Sequence, residues 1–361
     1  MDAGAVAEVV ITCGADIKPV PVRWLWQNWL ARGKFHLLAG APGQGKTTIA
    51  MCLAATVTTG VDWPDGAHCD AGNVLVWSGE DDYRDTLLPR LLAAGADRSR
   101  VHFIDGVRRG GVVQPFDPAI DTSKLQAAIR RIGDVRLIII DPVSTAIAGD
   151  SHKNAEVRRG LQPIVDLAAS IDAVLLGITH LSKAGQGGDP AQRVIGSVAF
   201  TAVARVVLVA AKVKGEDGED RRILARGKSN LGPDDGGFEY SMKQVQAFPG
   251  IEATRIEWGQ AVHGTARELL TDPAGEDGLD KSAVETAADF LRDVLDGGVT
   301  PFTSVKESAD EAGISLPTIR RASKSIGVIK TKGEGGKWYW KLAKMPQKRV
   351  QGDQGDQGDQ P

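Results

Sequence analysis

Five short runs are apolar almost without interruption: FHLLAG (35–40), NVLVWSG (73–79), VHFIDG (101–106), RLIIID (136–141) and AVLLGIT (173–179). A strand with one wet face alternates apolar and polar residues, so unbroken runs of this length predict strands covered on both faces. Between them stand TTIAMCLAATVTTG (47–60), DTLLPRLLAAG (85–95) and SKLQAAIRRIG (123–133), amphipathic stretches that close on a glycine suited to a helix C-cap. This alternation over residues 35–212 predicts an α/β fold, a doubly wound and mainly parallel sheet. RVVLVAAKV (205–213), RRILARGKSN (221–230) and FEYSMKQVQ (238–246) follow with little helix between them. Their connections, KGEDGED and GPDDGG, read as hairpin turns, which predicts antiparallel strands added to one edge.

A chain of 361 residues that is 42% hydrophobic suits a large domain plus a small one. The expected large domain covers residues 1–270, with 1–34 as a lead-in. TDPAGEDGLD (271–280) is rich in Gly, Pro and Asp and reads as a linker. Residues 281–344 read as a second domain with three helices, in AVETAADFLRDVL, TSVKESADEAG (Thr303 or Ser304 as its N-cap) and ISLPTIRRASKSIG. VIKTKGEGGKWYWKL then reads as a hairpin, and the order resembles a winged helix-turn-helix. The tail 345–361 ends in QGDQGDQGDQP, a low-complexity repeat expected to be disordered.

The formal charge of −3 excludes a bulk attraction for polyanions, but residues 281–350 carry 13 Lys and Arg against 8 Asp and Glu. A small basic end on a mildly acidic body points to nucleic-acid contact there. Cys13, Cys52 and Cys69 are scattered, with no CxxC pattern, as expected of reduced structural thiols. No run approaches the roughly 20 apolar residues of a membrane span, and the start lacks a signal-peptide pattern. The expectation is a soluble, cytoplasmic protein.

GAPGQGKTT supplies Gly40, Gly45, Lys46 and Thr47 at the spacing G-x-x-x-x-G-K-[ST], between a buried strand and a helical stretch. That context makes Gly40, Ala41, Pro42, Gly43, Gln44, Gly45, Lys46, Thr47 and Thr48 a cradle for the phosphates of ATP. Lys46 reaches the terminal phosphates, and Thr47 offers a hydroxyl to Mg²⁺. Asp141, at the tip of RLIIID, is the second candidate ligand for that ion.

Hydrolysis also needs a group that orients or deprotonates water. Directly after Asp141 stands Pro142, which has no such group. The carboxylates that end another buried strand near the phosphate loop are Glu80, Asp81 and Asp82. Glu80 comes first and has the longer reach; Asp81 or Asp82 is placed to cap the helix that follows.

These elements together resemble the RecA-type ATPases, and among them the RepA-like branch of plasmid and phage replicative helicases. The resemblance runs over residues 22–232: VRWLW, GAPGQGKTT, WSGEDD, LIIIDPVSTAIAGD, EVRRGLQPI, GITHLSK, IGSVAFTAVARVVLV and KSNLGP. It implies the catalytic role for Glu80 and a γ-phosphate-sensing role for His180. It also implies that Arg205 acts on a neighbouring subunit's nucleotide. Arg226 and Lys228 match the spacing of a Lys-x-Arg pair, with the two basic types in reversed order. Groups acting in trans imply a homo-oligomer, most naturally a hexameric ring.

The same resemblance turns the loops 144–159 and 181–196 toward a central channel, making Lys153, Lys183 and Arg193 candidate contacts to single-stranded DNA. In the second domain Arg320, Arg321 and Lys324 lie on the third helix, and Lys330, Lys332 and Lys337 lie on the hairpin beside Trp338, Tyr339 and Trp340. Either this surface contacts DNA phosphates, or the aromatics fill the small core and the domain meets another protein, such as a replication protein. Two functions fit: an ATP-driven helicase or translocase, and an ATP-switched DNA-binding regulator or recombination mediator.

Overall fold

The computed structural model describes residues 9–145, 154–180, 198–214, 219–270, 287–296, 298–312, 314, 316–333 and 338–342. The chain divides into two compact units, Met1–Pro273 and Ala274–Pro361. The expected linker and the tail 345–361 lie outside the described residues, as do Lys153, Lys183, Arg193 and Lys337.

The first unit begins with β1 (Trp24–Trp26) and β2 (Leu30–Ala31), a short antiparallel pair, and continues into β3 (Phe35–Gly40) and α1 (Lys46–Thr59). β4 (Asn73–Ser78) follows, then a π-helical turn (Tyr83–Leu87), α2 (Leu88–Ala93) and β5 (Val101–Phe103). A small hairpin, β6 (Val107–Arg109) and β7 (Val112–Gln114), leads to α3 (Pro118–Ile132), β8 (Val135–Asp141), α4 (Asn154–Ser170) and β9 (Val174–His180). After α5 (Val198–Val203) the chain runs through β10 (Val206–Lys214), β11 (Asp220–Ser229), β12 (Asp235–Phe248), β13 (Ile251–Thr265) and α6 (Ala266–Leu270).

Nine strands join one sheet in the order β13-β12-β11-β10-β3-β9-β8-β4-β5. From β10 to β5 every pairing is parallel, and β10 to β13 are antiparallel neighbours. Both sequence expectations for the sheet therefore hold. The unbroken apolar runs divide their side chains between two cores, as the strand period of two requires. In β8, Leu137 and Ile139 pack with Ile49, Met51, Leu53 and Val57 of α1. Ile138 and Ile140 pack with Leu125, Ile129, Leu161 and Ile164 of α3 and α4 on the opposite face.

α1 is buried on nearly every side, from Lys46 to Thr58. The reason is that β12 and β13 extend past β11 as a long ribbon that packs against α1 and α2. Under the ribbon lies an aromatic cluster. Trp26 is fully buried, stacks at 4.8 Å on both Trp29 and Trp63, and donates its indole N–H to Asp65 at 2.9 Å. Phe238 and Trp258 of the ribbon close over it.

Several local expectations change. VHFIDG supplies only the three-residue β5. The stretch 85–95 opens with a wide turn before α2 rather than one continuous helix. β13 and the β6–β7 hairpin were not anticipated. Cys52 and Cys69 are buried, whereas Cys13 is exposed. Among the described residues no helix is long and apolar enough to cross a membrane.

The second unit holds a helical stretch, α7 (287–295), β14 (Thr300–Pro301), α8 (Phe302–Glu311), α9 (Leu316–Ser325), β15 (Ile329–Lys332) and β16 (Trp338–Lys341). The strands form a three-stranded antiparallel sheet, β14-β16-β15. Leu291, Leu295, Val305, Ala309, Ile319, Ala322 and Trp340 make a core of its own. Three helices and a hairpin stand in the expected order. α8, however, starts at Phe302, so Thr303 and Ser304 lie inside it and neither is its N-cap.

Trp26→Ala should lower unfolding stability by about 3–5 kcal/mol, the usual cost of emptying a buried aromatic site, measured by denaturant unfolding. A loss below about 1 kcal/mol would mean the cluster is not tightly packed.

Candidate nucleotide site

Parallel strands deliver their last residues to one edge, and ligands of open α/β sheets sit in the crevice there. Here β3 leads into the loop 40–45, β4 into Gly79–Asp82, β8 ends at Asp141 and β9 ends at His180. Gly43 and Gly45 both have φ of +77°, the left-handed region that only glycine enters at little cost. Gly40 serves a different need: a Cβ there would come within 2.4 Å of the Ala210 carbonyl of β10.

Gly45 is the N-cap of α1 and offers no side chain to the helix's first amides. Those N–H groups are left for an external acceptor, and the helix dipole favours an anion there. Lys46, 6% exposed, donates to the Ala41 carbonyl at 3.0 Å, and its Nζ lies 3.2 Å from Nδ1 of His180. The ammonium donates, so Nδ1 accepts and the imidazole proton resides on Nε2. Nε2 in turn lies 3.9 Å from a carboxylate oxygen of Glu80, beyond normal hydrogen-bond length. Burial lowers the Lys46 pKa, and nearby Asp141 and Glu80 oppose that shift.

Thr47 donates its hydroxyl to Asp141 at 2.7 Å. Burial raises the Asp141 pKa; the Thr47 hydrogen bond lowers it, while the negative charges of Asp81 and Glu80 raise it further. A divalent cation would relieve this crowding of negative charge. A hydroxyl and a carboxylate are the hard oxygen donors that Mg²⁺ takes, with waters and phosphate oxygens filling its remaining positions. No group of three or more His, Cys, Asp or Glu placed to hold a metal occurs among the described residues.

The three acids after β4 have separate surroundings. Asp82 accepts from the Arg84 N–H at 2.6 Å and is the cap of the turn Tyr83–Leu87. Asp81 pairs with Arg90 of α2 at 3.1 Å. Glu80 remains exposed, its carboxylate turned toward His180. Ser78 sets this turn, its hydroxyl accepting from the N–H groups of Asp81 at 2.9 Å and Glu80 at 3.3 Å. The sequence reading had left Ser78 and Arg90 unassigned, although a serine two and three residues before the acids is a signal for such a turn.

Tyr240 was also missed, being 196 residues from its partner. It is buried in β12 and donates its hydroxyl to the Gln44 carbonyl at 2.6 Å. Burial pushes its pKa up, which keeps the hydroxyl protonated as a donor. The peptide plane is trans, so holding the Gln44 carbonyl toward β12 turns the Gly45 N–H the other way, away from β12. Met242 closes the same contact: a Cβ on Gly45 would lie 2.5 Å from its sulfur.

Three predicted bases do not join this cluster. Val206 pairs with His36 and Ala210 with Gly40, so Arg205 precedes β10 at the opposite edge, roughly 16 Å of strand away from the loop. Arg205 is exposed and makes no side-chain hydrogen bond or ion pair among the described residues. Lys228 donates to the Thr201 and Ala204 carbonyls at 2.8 and 3.2 Å, satisfying the end of α5. Arg226 stacks over Trp29 at 4.5 Å and donates to the Asp235 carbonyl at 2.7 Å.

A family model described as an AAA domain matches residues 7–186. That segment is an AAA-type match. It contains Lys46, Thr47, Glu80, Asp141 and His180, and it points to nucleotide-dependent ATPase activity, which typically uses Mg²⁺. Arg205, Arg226, Lys228, Tyr240 and the second unit lie beyond the matched residues. No curated protein matches the chain.

Tyr240→Phe should weaken ATP binding about fivefold, the equivalent of one hydrogen bond worth about 1 kcal/mol. It should raise KM while leaving kcat nearly unchanged. Equal KM values for the variant and the parent would show that the hydroxyl does not hold the loop for phosphate.

Proposed function

We propose that the protein is a Mg²⁺-dependent ATPase with a RecA-like core. In this reading it works as a ring-forming motor on single-stranded DNA, most closely a RepA-like replicative helicase or translocase. The observation that carries the ATPase part is the convergence of Lys46, Thr47, Asp141, Glu80 and His180 from four strand ends. The loop's amides and Lys46 bind and orient the phosphates. Thr47 and Asp141 would hold Mg²⁺, which would supply neutralisation of the phosphate charge. Glu80 orients the attacking water and accepts its proton. His180 stands between Glu80 and Lys46, and its Nε2–H is the donor it offers the γ-phosphate.

Arg205 is the base proposed to serve a neighbour's nucleotide. Its exposure, its lack of a side-chain partner among the described residues and its position at the edge away from its own loop 40–45 support that role. Arg226 and Lys228, engaged inside their own chain, are better read as supports for this edge. A head-to-tail ring brings one subunit's Arg205 edge to the next subunit's phosphate edge. The three-helix unit with its hairpin is proposed to be a winged helix that contacts DNA. The reading without strand separation, an ATP-switched DNA-binding regulator or recombination mediator, draws support from the exposed bases of that unit. Arg320, Arg321 and Lys324 all face outward on α9.

The deciding experiment measures ATPase rate with and without single-stranded DNA beside unwinding of a forked duplex. Stimulation with unwinding is the expected result. Stimulation alone supports the switch, and no stimulation contradicts a DNA role. Glu80→Gln should still bind ATP and lose at least about 100-fold in turnover; near-normal turnover would remove Glu80 from the mechanism. Mixing Lys46→Ala with Arg205→Ala subunits should recover part of the activity that each lacks alone. Co-assembly without recovery would contradict action in trans.

A further inference from the structure

The second unit contains a cleft of about 290 Å³ lined by Phe302, Arg320, Lys330, Trp338 and Trp340. Its lining residues are three aromatics and two cations, with no carboxylate among the described residues. Phe302 and Trp340 pack at 4.9 Å and form the floor. Lys330 lies with its ammonium 4.3 Å above the Trp340 ring. Trp338, on the same strand, leaves 49% of its surface in solvent. Burial lowers the Lys330 pKa, and the Arg320 charge lowers it further. Two like charges are thus held near each other where an anion would relieve them, beside a half-exposed indole.

The surroundings decide what kind of anion fits. On α9, Ile319, Ala322 and Ser323 are buried, while Arg320, Arg321 and Lys324 face outward. Lys332 extends the basic surface along β15. A single small anion would need only the cleft; the continuing row of bases suits an extended polyanion. A flat, sequence-tolerant aromatic face next to cations is how single-stranded nucleic acid is held, with bases stacking and phosphates paired. From these observations we infer that the cleft captures one nucleotide of single-stranded DNA, its base stacked on Trp338 and its phosphate between Arg320 and Lys330. The inference rests on the DNA reading above and sharpens it. The second unit grips an unpaired strand through its hairpin instead of reading a duplex groove through α9.

The test uses the full chain and fluorescence anisotropy with two labelled oligomers of equal length, an oligothymidylate and an abasic strand. The wild-type protein should prefer the oligothymidylate. Trp338→Ala should weaken oligothymidylate binding about tenfold, the scale of one lost base stack, and leave abasic binding unchanged. Trp338→Phe should retain the preference. Arg320→Ala should weaken both oligomers and flatten the salt dependence by about one counterion. ATPase activity without DNA should be the same in Trp338→Ala, which checks the first unit, and an unchanged near-ultraviolet circular dichroism signal from the remaining aromatics checks the second. If the wild-type chain binds neither oligomer, the DNA reading fails and the cleft with it. If it binds oligothymidylate and Trp338→Ala binds equally well, the cleft assignment alone is overturned.

Discussion

The ammonium of Lys46 is the charge around which this fold is arranged. Removing such a group from water is expensive unless partners replace the lost hydration. Here a carbonyl, an imidazole and two carboxylates do so, and they come from the ends of four different strands. Only a parallel sheet with these strands close together brings those ends to one edge, so the sheet order and the tolerance of a buried lysine are one fact. The glycines on either side of Gln44 then let the loop turn tightly enough to aim amides at the same point. In the proposed ATPase an incoming phosphate would take over from these partners.

The ribbon β12–β13 extends this arrangement beyond the matched segment. It roofs the tryptophan cluster and packs against α1, and Tyr240 reaches the phosphate loop from it. Arg226 belongs to the same framework, clamping Trp29 to the start of β12. A displacement of the ribbon would therefore reach the loop through two contacts, the hydroxyl of Tyr240 and the thioether of Met242. The antiparallel edge thus supports the nucleotide site as well as widening the sheet.

Most of the parallel sheet could be read from the chain because burial on both faces leaves an unmistakable local pattern, as in RLIIID and AVLLGIT. The turn between β3 and α1 was equally plain, since its glycines and lysine sit at a fixed spacing between a strand and a helix. β13 was hidden because IEATRIEWGQAVHGT mixes buried and solvated positions along a ribbon that is wet for much of its length. The β6–β7 hairpin was hidden for another reason. VRRGGVVQ carries little apolar signal, and it is held by Arg109 reaching the buried Asp121 of α3, a contact twelve residues away. Glu80 already stood apart from Asp81 and Asp82 in the sequence, but which aspartate caps the turn emerged only in three dimensions, through the contacts of Asp82 with Arg84 and of Asp81 with Arg90. Tyr240 had no local signature at all.

The central claim is that the loop 40–48, with Lys46 at its centre, holds a phosphate chain together with Mg²⁺ on Thr47 and Asp141. Its most direct test is thermal or chemical unfolding of the wild-type protein and of Lys46→Ala, with and without Mg²⁺-ATP. Ligand at about a hundredfold excess over Kd should stabilise the wild-type chain by roughly 2.7 kcal/mol. That gain should vanish in Lys46→Ala and shrink when Mg²⁺ is withheld. An equal gain in the variant, or none in the wild-type protein, would contradict the account.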